Sequence, residues 1–232
     1  MDKDVHAIQA GILKELLLKK EARFSALNVD TIPTDQFTFH VKQLLERGII
    51  EKTDSGSYRL TIFGKEYANR FDIDSGPVKF ERQAKIGVLV VATRNVGGKK
   101  EYLMQERQKH PFFGFRGFIT GKVKIGESIA ETAKRELLEE AGFAADVEPR
   151  AVYHERILSQ EGDLLEDKNF FVFTAANLRG ELVAEFSGGR NRWIAAADVL
   201  KGNIFYDIAD LLALIEAKHF TFSERSYVVD EY

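Results

Sequence analysis

The sequence predicts an α/β protein preceded by a small α+β unit, on three observations. Strand-like runs at 85–94, 101–107, 151–158 and 169–176 flank a well-delimited helix near 129–141. A second helical pattern covers 206–218. In front of them, helical segments and a hairpin signal are set apart by 72-DIDSGPVK-79, where Gly and Pro interrupt patterned sequence.

Apolar residues Ile8, Ile12 and Leu16 recur at helical spacing within 5–21. A short second helix is expected at 24–28, and a third at 34–47, with Thr34 as its cap and Gly48 as its stop. The runs 49-IIEKT-53 and 57-SYRLT-61 flank Asp54, Ser55 and Gly56, a hairpin signal. Beyond the boundary, the strands at 85–94 and 101–107 are joined by the turn-rich 95–98. The strands at 151–158 and 169–176 are joined by the acidic linker 161–168. The expected division is 1–75 for the first unit, 76–220 for the second and 221–232 for a C-terminal tail.

The chain has 232 residues, 44% hydrophobic and 30% charged, which describes a soluble globular protein of one large or two small domains. A net charge of −3 gives no global attraction for nucleic acid or acidic membranes. The N-terminal apolar stretch is broken by Lys14 and Glu15, so neither a signal peptide nor a spanning helix is expected, and the cytoplasm is the expected location. Without cysteine there is no thiol nucleophile and no zinc–thiolate site. The histidines 6, 40, 110, 154 and 219 show no ligand-like pairing.

The chemistry concentrates in 121-GKVKIGESIAETAKRELLEEAGF-143. Ser128 and Glu131 stand in capping-box order and Gly142 supplies the stop, so the helix spans 129–141. At 100° per residue, Ala130, Ala133, Leu137 and Ala141 share one stripe, while Glu136, Glu139 and Glu140 fall on another side. Carboxylates crowded at this spacing repel unless they are solvated or neutralised by a cation, and hard oxygen ligands favour magnesium, manganese or calcium. A solvated acidic face is the alternative from these residues alone.

The spacing resembles the Nudix box, G-x5-E-x7-R-E-U-x-E-E-x-G-U, with U a bulky apolar residue. Gly121, Glu127, Arg135, Glu136, Leu137, Glu139, Glu140, Gly142 and Phe143 occupy its positions without a miss. At ordinary residue frequencies, a chance match in a chain this long is on the order of one in a million. The resemblance implies an α/β/α sandwich around a mixed sheet. It also implies a Mg2+ or Mn2+ site formed by Glu136, Glu139, Glu140 and the Gly121 carbonyl. Glu127 and Arg135 become the pair bracing these ligands. Glu136 or Glu139 is then the base within the box, and Glu185, or less readily Glu181, in 181-ELVAEF-186 is the base outside it. The implied reaction is attack of water on one phosphorus of a nucleoside diphosphate linked to another group.

Upstream, Ile119, Thr120 and Gly121 stand where the family often has proline and paired glycines. Phe112, Phe113 and Phe115 are candidates to stack on a base, with at least two expected in the core, and Arg107, Arg116 and Lys122 are candidates to hold phosphates. The first unit resembles winged helix-turn-helix domains in element order and in its FTFHVKQLLERGIIEK run. This implies a groove-reading helix offering Gln36, Thr38, His40, Lys42 and Gln43. Eleven Lys and Arg against twelve Asp and Glu over 1–76 give no basic excess, so DNA is a partner only if folding gathers Lys19, Lys20, Lys42, Lys52 and Arg59 on one face. A homodimer or other protein contact is the alternative use. The enzyme reading thus stands beside a second, a nucleotide-sensing transcription regulator that binds DNA through the winged helix.

Overall fold

The computed structural model describes residues 5–72, 79–80 and 83–232. The chain divides into two compact units, Met1–Arg82 and Gln83–Tyr232. The boundary expected over 72–79 lies almost wholly outside the described residues.

In the first unit, α1 (Ala7–Leu18), α2 (Phe24–Leu27) and α3 (Thr34–Glu46) precede a hairpin of β1 (Ile50–Lys52) and β2 (Tyr58–Leu60). Ile12, Leu13, Leu16, Leu27, Phe37, Val41 and Leu44 close a core between helices and hairpin. Three details differ from expectation. Pro33, not Thr34, occupies the cap position of α3, and no side chain caps that helix. His40 is buried and stacked on His6, with ring centroids 4.2 Å apart. An additional helix, α4 (Ile62–Ala68), follows the hairpin, capped by Thr61, whose hydroxyl accepts from the Gly64 amide. Gly64 is required because a Cβ there would collide with the Ile49 carbonyl. The short strands β3 (Phe71–Asp72) and β4 (Lys79–Phe80) pair antiparallel.

The second unit is built on nine strands: β5 (Lys85–Val96), β6 (Lys99–Arg107), β7 (Arg116–Gly117), β8 (Ile119–Lys122), β9 (Phe143–Leu158), β10 (Leu164–Gly180), β11 (Glu185–Phe186), β12 (Gly189–Ala195) and β13 (Thr221–Val228). Their order is β11-β12-β6-β5-β10-β9-β13, with β7 on β6 and β8 on β5. The sheet is mixed: β5 and β10 run parallel, as do β9 and β13, and the remaining pairs are antiparallel. Helix α5 (Ile129–Ala141) covers one face through Ala133, Leu137 and Ala141 against Val88, Val90, Leu103 and Phe173. Helix α6 (Ile208–Glu216) covers the other through Ile208, Leu211, Leu214 and Ile215 against Leu89, Met104, Tyr153 and Val172. Alternation along β5 makes this sandwich, since successive residues face opposite helices.

Two expectations are corrected here. Residues 164–168 of the supposed acidic linker are the first residues of β10, paired with β9 across a tight turn. Residues 221–228 of the supposed tail form β13, an edge strand in register with Ala151–Leu158. Its exposed, alternating side chains hide it from hydrophobic patterning, and only pairing with β9 defines it.

Strand β5 pairs with β8 through Gly87–Val90 and with β6 through Thr93–Val96, so its two partners separate along its length. A cavity of about 690 Å³ opens there, with both Glu136 of α5 and Asp207 at the start of α6 on its walls. Among the described residues no helix is long and apolar enough to cross a membrane.

Candidate active site

Local sequence fixes α5 at both ends. The Ser128 hydroxyl accepts from the Glu131 amide, and the Glu131 carboxylate accepts from the Ser128 amide at 2.8 Å, completing the capping box. At the other end Gly142 adopts φ 81°, a left-handed conformation that costs other residues strain. The helix therefore ends where β9 must begin.

Arg135 is the hub of the acidic face. Its Nε donates to Glu127 Oε1 at 2.6 Å and its Nη2 to Glu127 Oε2 at 2.9 Å, a bidentate pair. Nη1 donates to Glu136 Oε1 at 2.7 Å and Glu139 Oε2 at 3.0 Å, and Nη2 also reaches the Lys122 carbonyl at 3.2 Å. Thr132 donates a further hydrogen bond to Glu127 at 2.8 Å. The Arg135 guanidinium above all, helped by the Thr132 hydroxyl and the Lys124 amide, holds the Glu127 carboxyl down to about 2 against the opposing effect of burial.

Glu140 is held from the opposite side. Gln105 Nε2 donates to its Oε2 at 2.9 Å and to Asn191 Oδ1 at 3.3 Å, while Asn191 Nδ2 donates to the Glu140 and Val183 carbonyls at 2.6 and 2.8 Å. Burial pushes the Glu140 carboxyl up; the Gln105 hydrogen bond opposes this and the Glu136 charge adds to it. Gln105 and Asn191 did not emerge from sequence reasoning. Their signal was a polar side chain on a core strand, since Asn191 is 2% exposed.

Gly121 lies against Glu136 so closely that a Cβ would overlap the glutamate side chain. Glycine is thus needed for the approach of Glu136 to β8. Gly121, Glu136, Glu139, Glu140 and Arg135 all border the one cavity. Among the described residues no three carboxylate or imidazole groups converge closely enough to hold a metal as they stand, because Arg135 draws Glu136 and Glu139 while Gln105 draws Glu140. Their donor chemistry nevertheless fits a hard divalent cation: three carboxylates border the same cavity, at a wall where burial raises the cost of uncompensated charge.

Other expectations meet the geometry less well. Glu185 lies outside the cavity, mostly exposed, with Arg190 Nε at 3.1 Å, and Glu181 is exposed as well. Arg107 borders the cavity while its guanidinium donates to the carbonyls of Lys109, His110 and Pro111, whereas Arg116 stands outside it and bonds the Lys201 carbonyl. Lys122 does line the cavity, together with Lys85, Lys109, Lys124 and Lys168. Phe112 and Phe115 are buried and Phe113 is exposed; of the three only Phe112 reaches the cavity wall.

The family model for the NUDIX domain matches residues 83–215. The chain belongs to the Nudix family. Among solved structures, a MutT protein from Bacillus halodurans shares the Nudix fold with a TM-score of 0.53 at 23% identity, over 64% of this chain and 93% of that one. The NUDIX domain of Shewanella oneidensis NrtR, solved with ADP ribose, gives 0.48 at 20% identity over 67% and 96%. A MutT NUDIX hydrolase from Burkholderia pseudomallei gives 0.47 at 23% identity over 58% and 99%. No curated protein matches the chain by sequence.

Proposed function

We propose that this Nudix protein is a divalent-metal-dependent diphosphohydrolase acting on a nucleoside diphosphate linked to another group. The observation that carries the reading is the complete acidic face of α5, braced by Arg135 and Glu127 and set on a cavity that also presents lysines. Glu136, Glu139, Glu140 and the Gly121 carbonyl would hold Mg2+ or Mn2+, which supplies charge neutralisation at the diphosphate oxygens. The protein's own groups do the rest. Lys109 and Lys122 on the cavity wall attract the phosphates. Glu136 or Glu139 takes the proton of the attacking water, a choice favoured by the placement of Glu185 outside the cavity. One phosphorus–oxygen bond forms to water as the bridging bond to the leaving phosphate breaks.

A magnesium- or manganese-dependent hydrolysis screen over nucleotide sugars, dinucleotides and nucleoside triphosphates tests this, with Glu139→Gln as control. Turnover should fall about 100-fold or more in the variant with folding intact, and chelation should abolish it. No hydrolysis of any substrate, or equal rates in the variant, would overturn it.

For the first unit, the order of helices and hairpin supports the name winged helix, and a protein contact such as a homodimer is the proposed use. The DNA-reading surface has lost members: His40 is buried, Gln43 accepts from Gln9, Lys19 pairs with Glu15 and Arg59 with Glu51 at 2.7 Å. The regulator reading predicts salt-dependent retention of a DNA fragment, and its absence at low salt would remove that reading.

A further inference from the structure

Each glutamate of the acidic face has one carboxylate oxygen engaged by the protein and one left open. Arg135 Nη1 takes Glu136 Oε1 at 2.7 Å and Glu139 Oε2 at 3.0 Å, and Gln105 Nε2 takes Glu140 Oε2 at 2.9 Å. Among the described residues no hydrogen bond or ion pair reaches the second oxygen of any of the three. Arg135 lies in the same short run as its partners. Gln105 reaches Glu140 from β6, across the sheet.

The orientation of the Gln105 amide is locked. Asn191 stands opposite it in the β6–β12 register and spends Nδ2 on the Glu140 and Val183 carbonyls, at 2.6 and 2.8 Å, so its Oδ1 must turn toward Gln105. Gln105 then meets two acceptors, Asn191 Oδ1 at 3.3 Å and Glu140 Oε2 at 2.9 Å, and only an NH2 group with two hydrogens satisfies both. Flipping either amide sets oxygen against oxygen. The backbone holds the frame: the Asn191 amide donates to the Ala184 carbonyl at 2.8 Å and the Val183 amide to the Ala141 carbonyl at 3.0 Å. Gly189 leaves the room Gln105 needs, because a Cβ there would stand 2.6 Å from the Glu106 carbonyl oxygen and 3.0 Å from Gln105 Cγ. A carbonyl in the last turn of α5 thus orients the amide that holds the Glu140 carboxylate of the same turn.

We propose that Gln105, locked by Asn191, is a positioning residue that limits Glu140 to one ligand oxygen and thereby sets which divalent cation the site prefers. The proposal rests on the metal-dependent reading of the acidic face. Magnesium demands a near-octahedral shell of about six oxygens, which manganese also accepts, whereas calcium takes about six to eight and readily uses both oxygens of one carboxylate. Three carboxylates offering one oxygen each suit the smaller shell. Releasing Glu140 Oε2 supplies the paired oxygens that calcium uses. Discrimination then comes from ligand count, since Gln105 is neutral and the Glu140 charge is the same with or without it.

The test is direct metal binding to the full-length protein without substrate, with Mn2+ followed by its paramagnetic resonance signal and Ca2+ by competition. Wild type should bind Mn2+ at least ten times tighter than Ca2+. Gln105→Met, which keeps the length and loses the donor, should shrink that preference at least threefold, and Asn191→Ala should move it the same way. Gln105→Lys restores an N–H donor; it weakens both cations by its charge but should keep the ratio within about twofold of wild type. An unmoved ratio in Gln105→Met, a wild-type preference below tenfold, or a ratio lost equally in Gln105→Lys would overturn the proposal. Thermal unfolding of the metal-free variants separates a structural role, which lowers the melting temperature and leaves the ratio alone. If Asn191→Ala does not fold, the Gln105 variants decide, and if neither of those folds the residue is structural and the proposal fails. Hydrolysis separates the two readings: tight Mn2+ binding and Mn2+-dependent turnover with an unmoved ratio sink the positioning role alone, whereas a wild type that binds no Mn2+ and hydrolyses nothing sinks both.

Discussion

Arg135 connects the structural and chemical properties of the acidic helix face. Its guanidinium is fixed by Glu127 and in turn fixes Glu136 and Glu139, so three carboxylates that would repel are held by one cation. Glu127→Gln should release that brace: kcat is expected to fall about 10- to 100-fold, with KM nearly unchanged and the helix intact. Steady-state kinetics beside thermal unfolding checks this, because a merely structural role would lower the melting temperature and leave kcat alone. Gly121→Ala should cost about 1–3 kcal/mol, since its Cβ must displace Glu136 or β8. Urea unfolding that shows no loss would mean Glu136 swings away freely. Glu127, Arg135 and Gly121 were legible in the sequence because they sit in one short run at fixed spacing. Gln105 and Asn191 were not, as they meet Glu140 only after β6 and β12 pair.

Elements whose signals are local came through the sequence intact, and α5 is the clearest. Its capping box and left-handed Gly142 lie within the residues they delimit. Gly142→Ala is expected to destabilise by more than about 1 kcal/mol, combining positive φ with a Cβ that would strike the Glu181 carbonyl. Ser128→Ala should cost about 1 kcal/mol through the lost cap, measurable by the same denaturation. By contrast α4 is a seven-residue helix containing Gly64, whose purpose is a close approach to Ile49. Strand β13 carries Phe222 and Val228 exposed, so its hydrophobic pattern points outward and its identity comes from hydrogen bonds to β9. Such elements exist by tertiary pairing, which a linear pattern does not encode.

Across the whole second unit, the edge strand is fastened by His154, whose Nδ1 meets Glu224 of β13 and whose Nε2 meets Asp167 of β10, both at 2.8 Å. These partners, Glu224 first and then Asp167, raise the imidazole above its ordinary 6.5. A group raised on folding stabilises fully below its unfolded value and loses that contribution as pH climbs through the folded one. The stability advantage of wild type over His154→Gln should therefore be on the order of 1 kcal/mol near pH 6 and shrink toward pH 9. Thermal unfolding at the two pH values checks this; an advantage growing with pH would contradict the arrangement. By itself the sequence determined the family, the helix that carries the glutamates and the brace that holds them, because all are written within about two dozen consecutive residues. Only the tertiary structure decided that Glu185 and Arg116 stand apart from the cavity, that Arg107 borders it, and that Glu155 and Asp207 border it too. Those outcomes depend on strand register and helix packing between segments dozens of residues apart, and side-chain surroundings there are fixed only when the sheet closes.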